Sequence, residues 1–372
     1  MTPAPFFLLS SLDPVTEVFV VENKITASFV ETLRGLLAEI EVPLTPVLHL
    51  EVEHDLWMQD TVEIGYRRDA EGKCFPAALG GLRGKHKAEN IVTAPLDEKV
   101  KHLMRDKGIE VIEVAEPRAD ARWIDWFGNL EVSPPVQDSA GKVYPNGRIL
   151  TGKQHELTLH PDAIAFLEAQ GVQTPLVFVD VSWLTIGHVD EVINFVPADN
   201  EKGFKVILPS PQVARRILES AVTAGYGETS VFAETSEALS VNEFLSHFAN
   251  SAENIAIDVK IEKTVQQLKV ELGLNDQDFA FLPALFEGGF AVIPNPVNCL
   301  VANSLAIIPD PQGPVIRGKD LFQQEILRQI SSTSLRVRFV NIWDTYHIRG
   351  GEIHCGTNAL RTSPASMRQD PL

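Results

Sequence analysis

The stretch EVFVVENKITASFVETLRGLLAEIEVPLTPVLHL, residues 17–50, decides the fold class. Its opening, Glu17-Val18-Phe19-Val20-Val21, is β-branched and aromatic and reads as a strand. From Ala27 to Ile40 the apolar residues Phe29, Val30, Leu33, Leu36, Leu37 and Ile40 recur on one face of a 3.6-residue period, which predicts an amphipathic helix. Val47 to Leu50 is apolar again and reads as the next strand. Strand, helix, strand is the grammar of an α/β protein. Working outward, helical patterns return over 96–106, 161–171, 212–224, 251–272 and 321–330, with strand-like runs over 109–114, 175–184, 206–208 and 335–340. The recurrence suggests internal symmetry, although no residue-level repeat accompanies it. No low-complexity linker interrupts residues 20–360, so one domain over 1–372 is expected, with a polar tail from Thr362 that frays.

Composition narrows the function. The 372 residues are 44% hydrophobic and 22% charged, which supports a sizeable core and not disorder. A net charge of −18 repels phosphate backbones and attracts basic partners, so nucleic acid is disfavoured. No run approaches the ~18 apolar residues of a membrane-spanning helix. The start, MTPAPFFLLSSLDPV, lacks a basic residue ahead of its apolar stretch and reads poorly as a signal peptide. A cytoplasmic location is the expectation, with secretion open if the native N-terminus lies upstream; the oligomeric state is left open. Cys74, Cys299 and Cys355 are too scattered for a disulfide framework or a four-cysteine zinc site.

Four polar segments interrupt the strand-like runs: Trp57-Met58-Gln59-Asp60, Phe127-Gly128-Asn129-Leu130-Glu131, Gly187-His188-Val189-Asp190-Glu191 and His354-Cys355-Gly356-Thr357-Asn358. Each alone is ordinary. A lone cysteine is more often a small buried hydrophobe, and Asp190 with Glu191 could simply cap a turn. The combination of one Cys, one His and two carboxylates beside turns is what points to chemistry. A Cys-His-Asp protease fits the composition, but no papain-like or caspase-like local signature is present.

These segments carry a family resemblance. WMQDTVEIGY (57–66), FGNLEVSPP (127–135), YPNGRIL (144–150), GHVDEVINFVPA (187–198), PDPQGPVIRG (309–318) and TYHIRGGEIHCGTN (345–358) resemble, in order, the catalytic domain of protein-arginine deiminases, of the guanidino-group-modifying (pentein) superfamily. The resemblance implies a five-bladed αβ propeller with pseudo-fivefold symmetry. It makes Cys355 the nucleophile, His188 the general acid and base, and Asp60 and Asp190 the clamps on a substrate guanidinium, whose fixed fork of N–H donors suits paired carboxylates. Trp57 is expected to line the channel for the arginine stem. Arg83 and Arg349 are expected to contact the substrate's peptide backbone, although Arg83 also reads as a solvated loop charge. Where animal members carry another arginine two places before Arg83, this chain has Gly81. The implied reaction converts peptidyl-arginine to peptidyl-citrulline and ammonia through an S-alkylthiouronium on Cys355, with arginine-containing proteins or peptides as partners.

The resemblance also implies calcium. The positions that correspond to one calcium site of animal members are Gln59, Glu63, Phe127, Leu130 and Glu131, and their oxygens suit a hard cation. A second site is expected to be lost, since Thr61 and the Leu79-Gly80-Gly81-Leu82 segment offer no carboxylate. Two other functions stay open: a deiminase of agmatine or free arginine, and a non-catalytic module that binds arginine-rich segments.

Overall fold

Val18 to Val21 are fully buried, so this strand has no solvent face and needs covering on both sides. It pairs antiparallel with Thr357–Arg361 and parallel with Leu44–Leu48, and the intervening helix Ala27–Ala38 buries Phe29, Val30, Leu33 and Leu37. The computed structural model describes residues 5–49, 55–83, 87–88, 91–92, 94–118 and 122–362. The end of the predicted strand at Leu50 and the tail from residue 363 lie outside them.

The same pattern occurs four more times. Val62–Arg68, Cys74–Gly80 and Glu110–Ile112 form one antiparallel-then-parallel set around helix Ala94–Asp106, with Phe6–Leu8 added at the edge. Glu131–Val132, Ile149–Lys153 and Val177–Asp180 form the next around Pro161–Ala169. Asn194–Pro197, Phe204–Ser210 and Phe279–Pro283 form the third, with Pro211–Thr223 and the long Ala252–Glu271 between the parallel strands. Leu300–Ala302, Leu305–Pro309 and Arg336–Val340 form the fourth around Leu321–Ile330. The unit described first is the fifth, made from both ends of the chain. The architecture is mixed α/β with many small sheets, and the apolar cores are shared between neighbouring units. None of the described helices is long and apolar enough to cross a membrane.

The periodic reading located these helices within a few residues. Its first helix runs on too far, because the chain turns at Glu41 (φ 56°) and the N–H groups of Glu41 and Val42 reach back to the carbonyls of Ala38 and Leu37. A glutamate in that left-handed position gives no warning in the sequence.

One feature of the repeat positions the chemistry. A short turn precedes the first strand of four units: Gln59–Thr61, Phe127–Asn129, Val189–Glu191 and Ile353–Gly356. These are the four polar segments of the sequence. In the remaining unit the segment before Leu300–Ala302 holds Asn295 and Asn298.

Candidate active site

The turns bring their side chains together. Cys355 lies in Ile353–Gly356, 6% exposed, with its Sγ 3.5 Å from Asp190 Oδ2. The same Asp190 oxygen is 2.8 Å from Nδ1 of His354, while Asp190 Oδ1 is buried without a hydrogen-bond partner. Asn298 donates from Nδ2 to Cys355 Sγ at 3.2 Å and accepts the Cys355 N–H at Oδ1 at 3.1 Å. Burial, then the charges of Asp190, Asp60 and Glu191, push the Cys355 thiol well above its usual range. These surroundings disfavour the thiolate.

Asp60 sits in the turn fixed by Thr61 Oγ1 donating to the Met58 carbonyl. Its Oδ1 accepts the Gly128 N–H at 2.9 Å and stands 3.8 Å from Nδ1 of His188. Gly128 is a close-approach glycine: a Cβ there would lie 2.5 Å from His188 Nδ1, 3.0 Å from Asp60 Oδ1 and 3.2 Å from Asp190 Oδ2. Three of the candidate residues thus converge on one backbone position. Burial raises the Asp60 carboxyl to about 6, with His188 and Arg83 pulling the other way. His188 Nε2 is 2.7 Å from the Trp123 carbonyl, so that nitrogen carries the proton and donates, which leaves Nδ1 free to exchange one. Glu191 does cap the turn, as its Oε1 accepts the His188 N–H, and burial together with Asp190 holds its carboxyl well above the usual range.

Two cavities meet at Cys355. The narrower, about 70 Å³, is lined by Trp57, Trp123, Trp126, Ile186 and Phe290 over Asp60 and His188. The wider, about 300 Å³, extends past Asn295, Asn298 and Glu352. Trp57 therefore stands where a channel wall was expected, packed so closely on Gly351 that a Cβ there would be 2.4 Å from its ring. Arg349 lines both cavities and anchors its Nη1 on the carbonyls of Asp344 and Thr345.

Arg83 is elsewhere. It is fully buried, paired with both oxygens of Asp55 and with Asp97, and its guanidinium lies 5.1 Å from the Trp126 ring centroid. These bonds turn its guanidinium into the protein, so it is not a solvated loop charge, and it lines neither cavity at Cys355. Gly81, the departure noted beside it, donates its N–H to the Thr61 carbonyl and has no room for a Cβ, which would sit 2.5 Å from that oxygen.

The profile of the family described as protein-arginine deiminase (PAD) matches residues 1–366. The chain belongs to that family. It is 33% identical over 374 residues to protein-arginine deiminase type-4 of Mus musculus, covering 96% of this chain and 54% of that protein. It is 32% identical to the Homo sapiens type-4 protein, covering 98% and 55%. The chain thus spans about half the length of the curated relatives it matches. Among solved structures, an agmatine deiminase of C. jejuni aligns with a TM-score of 0.54 at 11% identity, over 97% of this chain and 98% of that one. The agmatine deiminase of Enterococcus faecalis gives 0.53 at 13%, over 96% and 98%. At such identities the likeness is one of fold.

The calcium residues expected of a protein-arginine deiminase are gathered only in part. Gln59, Glu63, Leu130 and Glu131 line a cavity of about 40 Å³ together with His354 and Arg361. Phe127 is not among the lining residues, and its carbonyl accepts the Leu130 N–H. Gln59 Nε2 donates to Glu63 Oε2 at 2.8 Å, Glu131 Oε1 is buried with no hydrogen-bond partner, and His354 Nε2 stands 3.5 Å from it. Burial raises the Glu131 carboxyl to about 7, and burial plus Glu131 drive Glu63 well up. Two crowded carboxylates with an orphaned oxygen suit a hard cation in donor chemistry. The arrangement is not a formed cage: among the described residues no group of three or more His, Cys, Asp or Glu is placed to hold a metal.

Sequence reasoning passed over Gly128, Asn298, His354, Trp123, Trp126 and Phe290 as individual residues of this family member's site. Gly128 and His354 lay inside quoted motifs and could have been found there. Asn298, in Pro296-Val297-Asn298-Cys299, carries no local signal, because its partner is 57 residues away.

Proposed function

We propose that the chain is a catalytic unit that deiminates peptidyl-arginine to peptidyl-citrulline and ammonia. The observation that carries the proposal is the Cys355 sulfur beside Asp190, at the foot of a tryptophan-walled channel that also reaches Asp60 and His188. A planar guanidinium entering between the two aspartates would satisfy the orphaned Asp190 oxygen and bring a positive charge between them. That charge also offsets the carboxylates that keep Cys355 protonated, so substrate binding and thiolate formation go together. The thiol proton passes to His188 Nδ1, the sulfur adds to the guanidinium carbon, Nδ1 gives that proton to the departing ammonia, and the carbon is left as an S-alkylthiouronium. Water then adds as His188 Nδ1 takes its proton, and the C–S bond breaks to return the thiolate.

The five repeated units support a five-bladed propeller, with the turns before the first strands facing its centre, and support a single catalytic domain. Arg349 at the mouth is the residue that would read a peptide backbone. Gln59, Glu63, Leu130 and Glu131 would hold one calcium ion, which when bound would neutralise the crowded glutamates beside the Asp60 turn. His354 joins that cavity to Asp190.

The burial of Arg83 removes one donor expected to read a peptide backbone, and this favours a second reading, a deiminase of free arginine or agmatine. Citrulline formation from a blocked arginine ester, an arginine peptide, free arginine and agmatine, each with calcium and with chelator, separates the readings. Preference for the blocked forms is expected, and Cys355→Ala is expected to abolish turnover while the chain stays folded. Turnover of the free compounds alone moves the function to the second reading, and turnover by Cys355→Ala rejects both.

A further inference from the structure

We propose that Asn298 is a catalytic residue: its side-chain amide donates an N–H to the Cys355 sulfur and holds the thiolate at both ends of the reaction. The inference rests on Cys355 being the nucleophile, as proposed above, and on the following geometry.

Asn298 is fully buried and lies two residues before the first strand of its unit, the spacing at which Asp60 precedes Val62 and Cys355 precedes Thr357. It is the side chain by which the fourth unit reaches the reacting sulfur. Three contacts tie it to the cysteine turn. Its backbone carbonyl accepts the His354 N–H at 3.2 Å, Oδ1 accepts the Cys355 N–H at 3.1 Å, and Nδ2 donates to Sγ at 3.2 Å. The orientation of the amide follows from the pattern. Reversed, Nδ2 would face the Cys355 N–H donor, so the oxygen must point to the backbone and the N–H to sulfur. The backbone of the turn is itself pinned, with the Asn298 N–H on the Asn295 carbonyl at 3.2 Å.

Sulfur therefore has one neighbour that favours each of its states. Asp190 Oδ2, 3.5 Å away, accepts from the thiol and repels the thiolate. The Asn298 N–H bonds the thiolate more strongly than the thiol, because the acceptor is then charged. A bound guanidinium neutralises Asp190 and leaves Asn298 as the fixed donor. On attack a sulfur lone pair forms the S–C bond and the C=N π pair moves onto nitrogen. In the second half the C–S bond breaks and its pair returns to sulfur, where the same N–H receives the charge. No water has to reorganise around the leaving thiolate, which is the advantage of a preorganised donor.

The test is the pH dependence of Cys355 alkylation by iodoacetamide, measured without substrate, together with steady-state kinetics on a blocked arginine ester. Asn298→Asp keeps an oxygen for the Cys355 N–H and aims a second oxygen at sulfur. Its alkylation midpoint is expected to rise by about one pH unit or more, and kcat to fall roughly a hundredfold with KM changed far less. Asn298→Ala is expected to shift in the same direction by less. Folded variants with a wild-type midpoint overturn the proposal even when kcat or Tm falls, since that is the signature of a merely structural side chain. If neither variant folds, the side-chain amide resonance of Asn298 in the wild-type protein must move as the thiol titrates, and an amide that ignores the titration overturns it equally. Because the thiol is read directly, a wild-type protein that makes no citrulline rejects the proposed function without touching this result.

Discussion

The chain contains two pairs of aspartates that face the same problem with different outcomes. Asp55 and Asp97 enclose the guanidinium of Arg83, at 0% exposure, with hydrogen bonds from three of its nitrogens. Asp60 and Asp190 are equally buried, yet among the described residues neither is ion-paired with a lysine or arginine: His188 stands 3.8 Å from Asp60 and His354 2.8 Å from Asp190, whose other oxygen has no hydrogen-bond partner. The filled pair shows what an arginine looks like when this protein binds it permanently: planar, multiply bonded to two carboxylates, and resting against a tryptophan ring. The open pair has the carboxylates and the tryptophans, and adds a thiol where Arg83 has only neighbours that cannot react. Nearly the same chemistry thus serves stability where the chain fills the pair with its own arginine, and stays open to a substrate guanidinium, in the proposed function, where only histidines stand beside it.

The comparison breaks if the open pair does not bind a cation. Asp190→Asn is expected to lower kcat/KM on blocked arginine by about 10³-fold or more, because a charge-assisted pair in a buried site is lost. A loss below tenfold in initial-rate assays would mean that the guanidinium sits elsewhere. The filled pair should respond in stability instead. Arg83→Met leaves two buried carboxylates without a counterion and is expected to destabilise by about 3 kcal/mol or more in urea unfolding, with Asp55→Asn added to it recovering part of the loss. A raised KM with unchanged stability would restore Arg83 to the substrate.

Gly128→Ala sharpens the geometry of the open pair. Its methyl group has to displace His188 or Asp60, so kcat is expected to fall about 10- to 100-fold, while thermal melting shifts only a few degrees. An alanine variant with wild-type kcat would mean that the turns do not converge as described.

The smallest effect comes from a carboxylate outside both pairs. Asp320 caps Leu321–Ile330 through the Phe322 and Gln323 N–H groups, but burial raises its carboxyl from 3.8 to about 6. Between those values the native state holds the extra proton, so stability is expected to decline as pH rises from about 4 to 6. A shift of this size, discounted for partial exposure, corresponds to ~1–2 kcal/mol. The slope of unfolding free energy over that interval, compared with Asp320→Asn, tests it.

The sequence by itself determined the alternation of strands and helices, because burial of one face imposes a period that survives in the order of residues. It also marked out four polar turns that interrupt apolar runs, and the family resemblance of their motifs singled out Asp60, His188, Asp190 and Cys355 within them. Only the tertiary structure decided the partners. The repeat of five units is a pattern of strand pairing, antiparallel then parallel, and leaves no trace in residue identity when each unit needs different side chains. Arg83 and Arg349 are both arginines beside glycines, yet one is sealed between Asp55 and Asp97 and the other lines the mouth. Asn298 acquires its part through a contact spanning 57 residues. Local propensity acts over a few residues and can be read along the chain. The fate of a charge or an amide depends on which groups the fold brings within hydrogen-bonding distance, and that is settled only once the units have packed.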